Sequence, residues 1–217
     1  MHTPGSDGER RLQAAYGTKR RAAGFYKHQM LEALNDNMVD FIGKQSMLFI
    51  ATADGNGECD TSFRAGAPGF VRVGDRGHVY LPEYRGNGVM ASLGNISENP
   101  HIGLLFIDFV ESTIGLHVNG KARILENDDI REHADYQFLR EDLADAGGRT
   151  PERWIEVTVE EAYIHCSKHI PRMQPAPKEI HWGTDNKRHK GGDFFGAKLT
   201  NRAAREAVAE TAQKQSA

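Results

Sequence analysis

The sequence predicts a mainly β fold with flanking helices, in which the strands build an antiparallel barrel rather than a doubly wound parallel sheet. Two observations carry this expectation. Several short strand-like runs follow one another through the middle of the 217 residues with few helices between them, whereas parallel strands need a crossover helix each. The turn Asp54-Gly55-Asn56-Gly57 then sits directly after an apolar run, which is strong hairpin chemistry.

Taken in order, residues 1–36 form a polar, helix-prone arm with scattered apolar anchors such as Leu12, Tyr16, Phe25 and Leu34. A short helix over 37–44 turns Met38, Phe41 and Ile42 inward. Met47-Leu48-Phe49-Ile50-Ala51-Thr52-Ala53 reads as a buried strand. Further strands are predicted at 70–73, 79–81, 102–107 and 116–124, with Asn119-Gly120 marking a bulge in the last rather than a turn. Residues 128–143 read as a helix capped by Asn127, with Ile130, Ala134 and Phe138 on one face. Closing strands follow at 154–159 and 162–166. The barrel domain is therefore set at 37–170, followed by a loop and a helical tail over 171–217.

Charge and cysteine content narrow the function. With 27 basic against 30 acidic residues and a net charge of −3, nothing global points to nucleic acid or an anionic membrane. The Lys19-Arg20-Arg21 run reads as a solvated helix face. Two cysteines, Cys59 and Cys166, argue against a disulfide framework and fit a reducing, cytoplasmic setting. No apolar stretch reaches the length of a membrane span, and the N-terminus has no signal-peptide core.

The most informative local pattern is Tyr84-Arg85-Gly86-Asn87-Gly88. It lies between the strand at 79–81 and a helix whose Val89, Leu93 and Ile96 share one apolar face and which ends near Asn99-Pro100. A helix N-terminus offers unpaired N–H groups and partial positive charge, glycines allow close approach, and an arginine can fork onto two oxygens. Such a turn suits a phosphate monoester; it also suits an ordinary solvated loop.

Three segments together resemble the pyridoxamine 5′-phosphate oxidase-related family of FMN-binding proteins. They are Asp60-Thr61-Ser62-Phe63-Arg64 with Pro68-Gly69-Phe70-Val71-Arg72-Val73, then Leu81-Pro82-Glu83-Tyr84-Arg85-Gly86-Asn87-Gly88 running on to Asn99-Pro100, then Ile102-Gly103-Leu104-Leu105-Phe106 with His117-Val118-Asn119-Gly120. The resemblance implies an FMN-binding split β-barrel, six-stranded, antiparallel and Greek-key-like. It implies a homodimer with the flavin at the two-fold interface, and an oxidoreductase that passes a hydride between a small molecule and the flavin. Arg64 and Arg85 fall where the family grips the FMN phosphate, and Asn87 falls near a position that is lysine in the true oxidases. Phe70 and Val71 fall on the strand facing the ring, and Pro82, Glu83 and Tyr84 at the strand end beside the ring and ribityl chain. No catalytic side chain is implied.

The departures limit the substrate. The true oxidases have a Gln before a strand ending Val-Glu-Gly, where this chain has Ile114-Gly115-Leu116-His117-Val118-Asn119-Gly120. Their C-terminal Arg-Leu-His-Asp-Arg segment has only an echo here, in Trp182-Gly183 and Arg188-His189. The vitamin B6 substrate is therefore not carried over with the fold. His165 and Lys168, in His165-Cys166-Ser167-Lys168-His169, are candidate cations at the pocket edge, with Trp182 and Arg188 as candidate substrate contacts. A zinc site needs four ligands, and nothing fixes Cys59 or His181 beside this cluster, so no metal is expected. Two alternatives stay open: a deazaflavin-dependent reductase, and a carrier or sensor binding flavin or haem without turnover.

Overall fold

The computed structural model describes residues 4–144, 150–182, 184 and 186–215, in two compact units, Met1–Lys178 and Glu179–Ala217. The first unit carries eight strands: β1 (Met30–Leu31), β2 (Met47–Ala53), β3 (Cys59–Ala65), β4 (Arg72–Asp75), β5 (His78–Glu83), β6 (His101–Ile107), β7 (Gly115–Leu125) and β8 (Arg153–His165). Its α-helices are α1 (Asp7–Ala15), α2 (Lys19–Gln29), α3 (Asp36–Lys44), α4 (Ala91–Glu98) and α5 (Asn127–Glu132). Six strands are six residues or longer; β1 and β4 are the short additions. Every pairing is antiparallel, in the order β3-β2-β6-β7-β8-β5-β4. The mainly β, antiparallel fold class therefore stands.

The long β8 organises the sheet. One edge pairs with β7 along almost its whole length. The other edge takes β5 at residues 153–158 and β1 at 162–163, so the partner changes midway. The register of β7 on β8 shifts between Asn119 and Gly120, which is the bulge that the sequence marks. Gly120 is required there, because a Cβ would run into the Thr158 carbonyl. That bulge also explains why one strand runs through 153–165 where the sequence suggests two. Glu160, the extra residue, is absorbed without breaking the ladder.

Period-two alternation sends Leu48 and Ile50, Leu104 and Phe106, Leu116 and Val118 to one face, where Ile42 of α3 and Leu93 and Ile96 of α4 cover them. Each such side chain contributes about 1.5–3 kcal/mol on burial. A second cluster gathers Tyr80, Leu125, Ile130, Leu139 and Trp154. The helix expected over 128–143 is broken. After α5 the chain continues as 3-10 turns over Ala134–Ala144. Arg140 accounts for the break: its Nε donates to the Ile130 carbonyl (3.0 Å) and its Nη2 to the His133 carbonyl (3.2 Å), satisfying acceptors at the end of α5. The cap of α5 is Glu126 rather than Asn127, in a reciprocal box with Asp129.

In the second unit a loop containing a 3-10 turn at Lys187–His189 leads to α6 (Ala197–Gln215).

Candidate functional site

The β2–β3 hairpin and the β5–α4 connection bring Arg64 against Glu83 and Ser92. On β3, Ser62 and Arg64 are two residues apart and so share a face. The Arg64 guanidinium donates to Ser62 Oγ (2.7 Å), to Glu83 Oε2 at the end of β5 (3.1 Å) and to Ser92 Oγ in the first turn of α4 (3.3 Å). Arg64 and Glu83 form an ion pair whose side chains are 22% and 17% exposed, so water screens it only in part. Burial pushes the Glu83 carboxyl above its usual range, and the Arg64 charge pulls it back only partly. Arg153, opposite Glu83 across the β5–β8 ladder, also favours its ionised form, while Glu152 opposes it.

The turn between β5 and α4 is exposed from Arg85 to Met90. Asn87 does not extend a cation-like reach; its Oδ1 accepts from the Val89 N–H (2.9 Å) and fixes the turn. Gly88 has φ +82° and Met90, at the N-cap of α4, has φ +57°. A methionine has no oxygen with which to cap, so the first amides of α4 receive no capping side chain from the N-cap residue. Val89 is exposed, while Leu93 and Ile96 are buried as the helical face requires.

Phe70 and Val71 are buried, but they precede β4 instead of lying on it. A tight turn, in which the Phe70 N–H donates to the Ala67 carbonyl (2.9 Å), delays the strand to Arg72. Phe70 and Tyr84 line a cavity of about 90 Å³ with Pro68, Arg72, Asp142 and Trp154. Arg72 and Asp142 close one side through a two-pronged ion pair of 2.6 and 3.0 Å. Pro82 is buried within β5.

His165 ends β8, and its Nδ1 lies 2.9 Å from Nε2 of His117 on β7. His117 stacks on Tyr163 (4.7 Å), and burial with the nearby His165 holds its imidazole below the ordinary range. Lys168 is exposed in the 3-10 turn Ser167–His169. Trp182 and Arg188 belong to the second unit, and Gly183 lies outside the described residues. No group of three or more metal-ligating side chains occurs among the described residues.

Sequence reasoning missed Ser62, Ser92 and the His117–His165 pair. Ser62 was recoverable from its period-two spacing to Arg64. The other contacts join positions 28 and 48 residues apart, beyond any local spacing rule.

The fold and the site thus define an antiparallel β-sheet protein in which Arg64 on β3 reaches the first turn of α4. The glycine-containing turn that opens α4 carries Arg85 and ends in an N-cap residue that lends no side-chain oxygen. Residues 34–166 match the pyridoxamine 5′-phosphate oxidase family, and the chain belongs to that family. Among solved structures it is similar to HupZ from Group A Streptococcus, at 24% identity over 58% of this chain and 90% of that one, with a TM-score of 0.45. It is similar to a candidate pyridoxamine 5′-phosphate oxidase from Lactobacillus delbrueckii, at 21% identity over 62% and 98%, TM-score 0.45. It is also similar to an FAD-binding protein from Mesorhizobium loti, at 13% identity over 62% and 96%, TM-score 0.40. Among curated proteins none matches.

Proposed function

We propose that the chain is an FMN-dependent oxidoreductase that works as a homodimer. One observation carries the reading: Arg64 is held half-buried against the first turn of α4, beside the turn that bears Arg85. The donor set fits a phosphate monoester. Two arginines supply charge-assisted hydrogen bonds, the α4 amides supply oriented N–H groups, and glycines at 86 and 88 leave room for close approach. FMN, when bound, supplies hydride chemistry at its ring nitrogen N5.

In this reading Arg64 and Arg85 hold the phosphate, and Ser62 and Ser92 fix Arg64 in the orientation it needs. Phe70, Val71, Pro82, Glu83 and Tyr84 border the ring and ribityl chain, with aromatic and apolar surface that excludes water. Asn87 keeps the turn in shape. His165 and Lys168 add positive charge at the pocket edge for an anionic small molecule. A second copy completes each site. The free, exposed Cys59 and Cys166 suit the cytoplasm, and no helix among the described residues is long and apolar enough to cross a membrane.

The test is an absorbance spectrum of the purified protein before and after adding FMN and removing the excess. Stoichiometric flavin bands, followed by bleaching and turnover with a nicotinamide donor, support the oxidoreductase. Flavin retained but inert with every donor turns the reading to a carrier or sensor. A protein that refuses FMN refutes it, and deazaflavin and haem are then the ligands to try.

A further inference from the structure

Glu83 occupies an unusual place for an acidic side chain. Its carboxylate is paired with the arginine that, on the reading above, receives the ligand's phosphate. The same Nη2 that touches Glu83 Oε2 at 3.1 Å also touches Ser92 at 3.3 Å, so the carboxylate and the helix N-terminus converge on one guanidinium edge. A phosphate reaching that edge from the α4 side meets a second anion already in place.

We propose that Glu83 is a resident counter-anion that gates this site. It holds Arg64 in the ligand-free protein and gives way to an incoming phosphate by taking up a proton. The inference rests on the reading of Arg64 as a phosphate ligand and assigns a role in selecting ligands to a residue that the family resemblance places only beside the ring.

The charges around Glu83 support this. Arg64 on β3 and Arg153 on β8 stabilise its ionised form, and Glu152, beside Arg153, opposes it. Arg153 is itself shared, its Nε lying 3.7 Å from Glu126. The net shift of the carboxyl is already upward, with burial its largest cause and Glu152 adding to it against Arg64 and Arg153. Diverting Arg64 to a phosphate removes the strongest opposing charge and adds a like charge, so both changes raise the carboxyl further. The sign follows from linkage. Affinity is highest below the pKa of Glu83 in the free protein, falls as pH rises from there to its pKa in the complex, and is flat above that. Each pKa unit between the two values changes affinity about tenfold across that window.

The experiment measures FMN binding by quenching of flavin fluorescence across about pH 5 to 8. Calorimetry in two buffers of different ionisation enthalpy counts the protons exchanged. Wild-type protein is expected to take up protons on binding FMN. This sign is diagnostic, since arginine contact with the phosphate, whose second pKa is about 6, would by itself release them. Glu83→Gln is expected to bind FMN about tenfold tighter at neutral pH, with the uptake abolished. Riboflavin, which lacks the phosphate and leaves Arg64 to Glu83, is expected to bind wild-type protein without proton uptake. Equal or weaker FMN binding by Glu83→Gln, or proton release by wild type, overturns the gate. The wild-type proton count decides the question even if the variant does not fold. Unchanged FMN binding by Arg64→Ala would instead remove the underlying assignment of the phosphate site.

Discussion

Replacing Arg64 by alanine tests the site most directly, and its effect can be worked through contact by contact. The side chain supplies three hydrogen bonds, to Ser62, Glu83 and Ser92, and half of the half-buried ion pair with Glu83. For a bound phosphate, losing one charge-assisted hydrogen bond costs about 1.5–3 kcal/mol, a rise in Kd of about 10- to 150-fold. The upper part of that range is expected at neutral pH, because any ionised fraction of Glu83 then faces the phosphate without its arginine. The fold also loses stability by about 1–3 kcal/mol, since Glu83 is only 17% exposed and is deprived of its main partner. FMN titration by fluorescence, beside urea unfolding with fixed slope, separates the two effects. An unchanged Kd in a folded Arg64→Ala protein would refute the phosphate argument outright.

Arg85→Ala is expected to weaken FMN binding by a similar about 1.5–3 kcal/mol, and the double variant by less than the sum, because both arginines serve one ligand. Arg20→Ala, in the basic first turn of α2, should leave FMN affinity as it is; a large loss would bring the N-terminal arm into the site. Gly120→Ala should lower unfolding stability by about 1–3 kcal/mol or more, read from the urea midpoint, because its Cβ meets the Thr158 carbonyl at the bulge. Asp108 accepts from the N–H groups of Val110, Glu111 and Ser112 and from the Ser112 hydroxyl. Although burial opposes it, this set holds the Asp108 carboxyl far below its usual range. Its contribution is therefore complete above the ordinary carboxylate value of 3.8 and is lost as pH falls through the lower folded value. Asp108→Asn should lower Tm at neutral pH and flatten its acid dependence; an acid profile identical to wild type would contradict this.

What the sequence made legible follows from the range over which each force acts. Strands β2, β5, β6 and β7 were readable because alternation and turn residues are local. The bulge at Asn119-Gly120 was readable because glycine inside a strand has few other reasons to be there. The break after α5 was not, since it depends on Arg140 reaching back to carbonyls seven and ten residues earlier. The two residues of β1 carry too little pattern to announce a strand, and their pairing to β8 spans more than 130 positions.

The site divides in the same way. The glycines, Arg85 and the start of α4 form one continuous segment, so their chemistry can be read along the chain. Arg64 enters that chemistry only because the β2–β3 hairpin and β5 place it against Ser92 and Glu83, 28 and 19 residues away. The family resemblance implied that Glu83 lies beside the ring but gave no hint that it is the partner of the arginine. That pairing changes the expected behaviour. Two arginines and a helix N-terminus alone make a site whose affinity follows the charge of the phosphate. With a half-buried carboxylate among them, proton concentration becomes a second variable. The family likeness and the local motif are blind to it, because both describe which groups approach the ligand, and neither describes what those groups hold before it arrives.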